Sequence, residues 1–236
     1  MTEDGQQACV GQEYSRWSFD LETGEMVELM TDTDGILPYM YGVWEDIAVY
    51  QTVKTVEGAP EFEEWIMQQP EGTTSYQYGL QYYKYRVYSK NLKTGEEKTI
   101  VDESENFVWT ADPHMSWGQY VVYQIDRSVY VYDMETQASK KLFTHDPGWD
   151  FYNYMIQDGH VMVIGGTEDT CRAWAIDIMD GSVVELDTYG ENVVAFSAHY
   201  ECNGYFVGLL HASNNADQYY ISKEDFYRSN YDGAFR

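Results

Sequence analysis

The chain has 236 residues, 44% of them hydrophobic and 17% aromatic, with 40 acidic against 14 basic side chains and a net charge of −26. That supplies enough apolar material for a real core, as one repeat domain or one large all-β domain, and the aromatic load, 23 Tyr among it, favours strands. So acidic a surface repels phosphate backbones and anionic membranes, which argues against nucleic acid as a partner and leaves solubility, a basic protein, a cationic ligand or a divalent ion as what the charge serves.

No apolar stretch approaches the roughly 20 residues of a spanning helix, so no membrane insertion is expected. The start, Met1-Thr2-Glu3-Asp4-Gly5-Gln6-Gln7, has neither the basic nor the apolar region of a signal peptide. The expectation is a cytoplasmic protein, or one numbered after removal of a targeting segment. Cys9, Cys171 and Cys202 are odd in number and irregularly spaced, which argues against a disulfide framework. Buried free thiols are expected, and a pair between Cys171 and Cys202 stays open. No Cys/His set has zinc spacing, and no cofactor or metal is expected.

In chain order, residues 14–31 read as a third and a fourth strand only, joined by the turn phrase Phe19-Asp20-Leu21-Glu22-Thr23-Gly24-Glu25. Residues 36–102 read as a whole unit of four strands. Its second strand is Ile47-Ala48-Val49-Tyr50, after Trp44-Glu45-Asp46, and its third ends in Lys90-Asn91-Leu92-Lys93-Thr94-Gly95-Glu96. An insertion lies at 53–80, between these two strands, where Pro60 and Pro70 bracket Glu61-Phe62-Glu63-Glu64-Trp65-Ile66-Met67 as a short helix or the tip of a long hairpin. Residues 107–144 form the next unit, with Tyr120-Val121-Val122-Tyr123 and the phrase Tyr132-Asp133-Met134-Glu135-Thr136-Gln137. Residues 149–188 repeat it with Asp158-Gly159, Val161-Met162-Val163-Ile164 and Ile176-Asp177-Ile178-Met179-Asp180-Gly181. The last unit, 192–236, has Asn203-Gly204, Tyr205-Phe206-Val207 and a third strand ending at Ser222, but Lys223-Glu224-Asp225-Phe226 departs from the turn phrase.

The near-continuous apolar runs are those of strands buried on both faces, and Asp-Gly or Asn-Gly ahead of them is a strong hairpin signal. The Asp or Asn of the turn phrase falls at 20, 91, 133 and 177, spacings of 71, 42 and 44 residues, and a repeat near 44 made of short strands reads as a β-propeller. The expected fold is all-β: one propeller domain over 1–236, with four to five recognisable four-stranded blades. A third strand at both ends leaves three closures open: a five-bladed ring with an incomplete blade, a four-bladed ring with a spare strand, or part of a larger ring. An unpaired terminal strand would be an edge for another chain.

The order of apolar strand, then strand ending in Asp-Leu-x-Thr-Gly-Glu, then short closing strand resembles the WD40-like repeat of TolB-type propellers. It is also similar to the propeller domains that accompany prolyl-oligopeptidase-type enzymes. Asp20 to Glu25, Asn91 to Glu96 and Asp133 to Thr136 carry the resemblance, which spans about 14–222. It implies a propeller used as scaffold, docking surface, gate or enzyme, and an extracellular or cell-envelope setting in bacteria.

Connections after the second and fourth strands share one side of such a fold, and that side collects acids and tryptophans. The candidate binding residues are Asp32, Asp34, Trp65, Trp109, His145, Asp146, Trp149, Glu168 and Asp169. Asp32-Thr33-Asp34-Gly35 looks like part of a calcium loop but has no distal Glu, so an ordinary turn is the expectation. His145-Asp146 could orient an imidazole, or simply precede the turn at Pro147-Gly148. No Gly-x-Ser-x-Gly elbow and no phosphate-binding glycine pattern appears, so no catalytic residue is nominated. The resulting expectation is a non-catalytic binding or scaffolding protein for a protein, peptide or glycan. The alternatives are a carbohydrate-active hydrolase with converging carboxyl groups, one of raised pKa, and an assembly module that forms oligomers through open blade edges.

Overall fold

The computed structural model describes residues 7–10, 13–19, 23–24, 26–31, 39–102, 108–109, 116–145, 150–167, 170–188, 195–210 and 217–236. Strands β1 (Gln7–Val10), β2 (Glu13–Phe19) and β3 (Met26–Thr31) form the first sheet, in that order. The sequence pattern predicts only two strands here. The third is β1, which pairs with β2 from Val10↔Glu13 to Gln7↔Arg16. Its four residues, Gln7-Ala8-Cys9-Val10, are too few to show a periodicity.

The second sheet runs β4 (Tyr39–Trp44), β5 (Ile47–Thr55), β6 (Tyr83–Asn91), β7 (Glu97–Val101). Helices α1 (Phe62–Ile66) and α2 (Ser75–Tyr82) lie between β5 and β6 in the chain. The third contains β8 (Val108–Trp109), β9 (Ser116–Trp117), β10 (Tyr120–Ile125), β11 (Ser128–Asp133) and β12 (Ala138–Thr144), ordered β12-β11-β10-β8, with β9 also on β10. The fourth is β13 (Asp150–Gln157), β14 (His160–Thr167), β15 (Thr170–Asp177), β16 (Val183–Leu186). The fifth is β17 (Phe196–Cys202), β18 (Tyr205–Leu210), β19 (Gln218–Ser222), followed by α3 (Lys223–Tyr227) and a 3-10 turn at Tyr231–Gly233. Antiparallel meanders of consecutive strands, repeated in this way, are propeller blades.

Two compact units result, Met1–Pro113 with Gly118–Asp126 and Tyr132–Ser139, and His114–Trp117 with Arg127–Val131 and Lys140–Arg236. The first has a core around Ala48, Tyr50 and Tyr88, packed by Met40 and Leu92. Tyr50 and Tyr88 are cross-strand partners with rings stacked at 5.4 Å. In the second, Met162, Ala173, Ala175, Phe196, Phe206, Ile221 and Phe226 lie in one core. Met162, Ala173, Ala175 and Phe206 come from the middle strands, whose continuous apolar runs fit burial on both faces.

The recurrent phrase is explained by its side chain. Asn91 Oδ1 accepts from the N–H groups of Lys93 and Thr94, Asp133 Oδ1 from Glu135 and Thr136, and Asp177 Oδ1 from Met179 and Asp180. Each is an Asx turn that ends one strand and starts the next. Gly95 (φ 75°) and Gly181 (φ 78°) then take the left-handed backbone, which Gln137 must adopt with a side chain at φ 52°.

In the last blade Ser222 stands where the Asp or Asn would be. Its Oγ accepts from Asp225 N–H at 3.1 Å and its hydroxyl donates to Asp225 Oδ2 at 2.7 Å. It thereby caps a helix rather than a strand turn. Cys202, expected to be buried, is free and exposed, because it sits at the Asn203-Gly204 turn.

Candidate functional site

The segment between Thr55 and Tyr83 is what the blade does not need. β5 and β6 pair continuously from Ile47↔Asn91 to Thr55↔Tyr83, so the segment rises from the end of a complete hairpin. α1 begins after Pro60 and carries Glu63 and Glu64 in its first turn, where acids favour the helix dipole. It ends where Gln68 Nε2 donates to Glu64 O (3.0 Å) and Gln69 Nε2 to Trp65 O (3.3 Å), a carbonyl that also accepts from Gln68 N–H. α2 begins at Thr74, whose N–H donates to Gln77 Oε1 at 2.6 Å, as in a capping box.

The two helices share an aromatic core. Trp65 is 6% exposed and has Tyr78 at 5.2 Å, Tyr82 at 6.3 Å and Phe62 at 6.4 Å between ring centroids. Tyr78 also meets Phe62 and Tyr83 edge-on, each at 5.4 Å, and its hydroxyl donates to Pro60 O at 2.5 Å. A Cβ at Gly79 would stand 3.0 Å from the Tyr83 ring, so a larger residue there would push that ring aside. With Phe62, Trp65, Tyr78 and Tyr82 packed on one another, the insertion presents Glu57, Glu61, Glu63, Glu64 and Glu71 to solvent, with no Lys or Arg between Lys54 and Lys84. Among the described side chains there, Met67 (78% exposed) and Leu80 (49%) are the exposed large apolar ones.

Trp65, nominated as a binding residue, is thus the centre of the insertion's own core. His145 is also buried. Its N–H donates to Arg127 O at 3.1 Å, and Arg127 Nη1 donates to His145 O at 3.4 Å, so it continues the β11–β12 edge. Trp109 occupies β8 opposite Gln124. Asp32, Asp34, Asp146, Trp149, Glu168 and Asp169 lie outside the described residues.

A second polar cluster was not foreseen, and it lies at the tight-turn ends of the strands in the second unit. Lys223 Nζ pairs with both Asp158 Oδ1 and Glu201 Oε1. Tyr227 hydroxyl donates to Asp158 Oδ2 at 3.2 Å and lies 3.0 Å from His160 Nδ1, which faces Asp158 O at 2.7 Å. His160 Nε2 is 3.8 Å from Asp177 Oδ2. Burial, reinforced by the Asp158 carboxylate, pushes the Tyr227 phenol up and keeps it a donor. Burial alone would lower the Lys223 ammonium, but the two carboxylates outweigh it and hold the pKa above the usual lysine value. The turn phrases mark Asp158 and Asp177; nothing in the pattern placed Lys223 and Tyr227 beside them, because they come from α3.

Among the described residues, the carboxyl groups with a resolved shift are all held low. Hydrogen bonds from Thr136 and Gln119 outweigh burial at Asp133. Ser182 lowers Asp180, Arg172 lowers Glu185, and Ser222 with Asn230 lowers Asp225. A general acid would need the opposite shift. No group of three or more His, Cys, Asp or Glu side chains among the described residues is arranged to hold a metal ion.

No protein-family model matches the chain, and no curated protein matches it. Solved structures do. An oligogalacturonate lyase in complex with manganese aligns with a TM-score of 0.53 at 14% identity, over 94% of this chain and 58% of the lyase. An oligogalacturonate lyase from Vibrio parahaemolyticus aligns at 0.51 and 13%, over 94% and 64%. The chain is a β-propeller. TolB from Acinetobacter baumannii is among the matches, at 0.43 and 12% over 92% of this chain and 48% of TolB. This propeller spans less than two thirds of the length of either lyase.

Proposed function

We propose that this propeller is a binding and scaffolding protein, and that the α1–α2 insertion is the surface it offers to a cationic, amphipathic segment of a protein or peptide. One observation carries the reading: the insertion packs Phe62, Trp65, Tyr78 and Tyr82 into its own core and turns five glutamates, Met67 and Leu80 outward. A glycan would need exposed ring faces, which Trp65 does not supply. A basic helix or strand with apolar residues on one side matches both the charge and the exposed apolar groups.

The reading departs from that of the lyases. A galacturonate oligomer bears a carboxylate on each sugar, and a chain with 40 acidic and 14 basic side chains repels such a polyanion. A carbohydrate-active role would also want a carboxyl of raised pKa, and the shifts in the described residues run the other way.

The test is a titration of the full chain with a labelled Lys/Leu amphipathic peptide, read by anisotropy at low and at 0.5 M salt (~3–10 Å screening lengths bracket the two conditions). The variant E57Q/E61Q/E63Q/E64Q should weaken binding by about tenfold or more, as should the high salt. Binding that is indifferent to the four substitutions removes the insertion as the site.

A further inference from the structure

The hairpin beneath the insertion carries the opposite charge. β5 and β6 hold Lys54, Lys84, Arg86 and Lys90 and not one Asp or Glu, in a chain where acids outnumber bases 40 to 14. The sign changes at the Thr55↔Tyr83 pair, beyond which come the glutamates of the insertion and no base. Lys54 and Lys84 are exposed and stand directly opposite one another, one residue pair short of that boundary. Cross-strand partners hold their Cβ atoms about 5 Å apart, and like charges so placed disfavour the hairpin. Alternation along the strands puts Thr52 and Arg86 next on the same face, and Tyr50 and Tyr88 after them. Arg86 pairs with Glu97 at 3.1 Å and lies 4.4 Å over the Tyr88 ring. The face thus runs from buried tyrosines, past a guanidinium, to two opposed ammonium groups, and there it meets the acidic insertion.

We propose, on the reading that the insertion is the docking surface, that this charge boundary fixes the direction of the docked segment: its cationic, amphipathic part lies on α1–α2, and a short acidic run at one end of it reaches Lys54 and Lys84. The partner is a protein segment of split charge. A carboxylate set between two ammonium groups turns their repulsion into two attractions. A segment that is basic throughout would bring a third like charge to the pair wherever it crossed the boundary. Net charge acts in the opposite sense, because each acid added to a ligand is repelled by a chain of charge −26. At physiological salt the screening length is about 8 Å, so the groups in contact decide the outcome. An acidic tail that strengthens binding is therefore the mark of Lys54 and Lys84, since the rest of the molecule opposes it.

The probe is the labelled Lys/Leu amphipathic peptide extended at its N- or its C-terminus by Glu-Glu-Glu, with Gln-Gln-Gln extensions as controls. It is titrated by anisotropy against the full chain and against K54Q/K84Q at about 0.15 M salt. One of the two Glu-tailed peptides should bind at least about threefold more tightly than its Gln-tailed control, the gain expected of exposed ion pairs. K54Q/K84Q should turn that gain into a loss, since only repulsion by the acids of the chain then remains. Both substitutions remove like charge at exposed positions, so the variant should melt no lower than the parent. Weaker binding of both Glu-tailed peptides than of their controls, an equal gain at both ends, or a gain that survives K54Q/K84Q overturns the proposal and leaves the insertion as the docking surface. So does light scattering that shows two copies of the chain paired during the titration and released by K54Q/K84Q. If instead the Gln-tailed controls bind E57Q/E61Q/E63Q/E64Q as tightly as the parent, the docking surface itself is refuted, and the split-charge partner with it.

Discussion

The backbone N–H of Lys223 donates to the carbonyl of Gly204 at 3.2 Å, and the same bond recurs as Ile178 to Gly159, Met134 to Gln119 and Leu92 to Asp46. In these four blades the residue after the Asx-turn position is tied to the second residue of the neighbouring hairpin turn. The bond survives in the last blade, although Ser222 has replaced Asp or Asn and a helix has replaced the turn. Two tight turns are thus fixed to one another in each of these four blades.

Gln137 is the one turn-phrase residue among Gly24, Gly95 and Gly181 that keeps a side chain in the left-handed region. That backbone costs an L-residue about 1–2 kcal/mol, while glycine adds about 0.4–1 kcal/mol of freedom to the unfolded chain. Gln137→Gly should therefore raise stability by roughly 0.5–1 kcal/mol. Lys98 Nζ bonds to the Gln137 carbonyl at 2.6 Å and would be undisturbed. Differential scanning calorimetry should show a melting temperature higher by about 1–4 °C; a decrease would refute the φ assigned to this turn.

Gly204 and Gly208 separate two reasons for glycine. A Cβ at Gly204 meets nothing within 4 Å, so Gly204→Ala should cost only the φ of 83°, about 1 kcal/mol. A Cβ at Gly208 would stand 1.9 Å from Ser197 O, beside the register shift between Ala198 and Tyr200. Gly208→Ala should cost upward of about 2–3 kcal/mol. Urea denaturation of the two variants checks the order; the reverse order would mean that the β17–β18 register is wrong.

Acid should destabilise the fold through the carboxyl groups held low at Asp133, Asp180, Glu185 and Asp225. Their folded pKa values lie below the unfolded ones, so as pH falls through about 4 the unfolded chain takes up protons first and stability declines with pH. Above that window the stabilisation is fully present. Asp133→Asn keeps the turn, as Asn91 shows in the neighbouring blade, and should be near neutral at pH 7. It should also lessen the loss between pH 7 and pH 3 by up to about 1 kcal/mol, a figure limited by solvent screening. Asp133→Ala should cost about 1 kcal/mol already at pH 7. Denaturant midpoints across pH measure both; an unchanged acid limb in Asp133→Asn would count against the hydrogen bonds from Thr136 and Gln119.

Trp65→Ala should unfold the insertion and leave the blade. Loss of a buried Trp costs about 3–5 kcal/mol, more than two short helices can absorb, since helices below about 12 residues are marginal alone. The β5–β6 ladder and the Tyr50–Tyr88 stack do not depend on it. Limited proteolysis should then cut between 56 and 82 while the sheet amides keep their hydrogen-exchange protection. Protease resistance of the insertion in this variant would show that the aromatic core is not what holds it.

The parts that could be read in the sequence are those set by local chemistry. Asn91, Asp133 and Asp177 recur because a short side-chain acceptor must meet two N–H groups at the same place in these three blades, and Asp158-Gly159 and Asn203-Gly204 recur because both residues need positive φ. What escaped is tertiary. Trp65 looks like a ligand-facing ring until Tyr78 and Tyr82 are seen against it, and composition does not say which rings pack on one another. Tyr227 and Lys223 join Asp158 only because α3 turns back over the hairpin ends. Phe226 enters the core from a segment with no strand pattern.

The insertion also bears on how quickly its blade can form. Between β14 and β15 the ladder closes at Thr167↔Thr170, a minimal loop, whereas β5 and β6 cannot meet until Thr55 finds Tyr83. Loop closure on that scale costs roughly 2 kcal/mol more, since the penalty grows with the logarithm of length. A preassembled cluster of Phe62, Trp65, Tyr78 and Tyr82 shortens the effective loop by bringing its two ends together before the strands pair. The blade at 39–101 should therefore be the one whose assembly rate responds to substitution of Phe62, Trp65, Tyr78 or Tyr82.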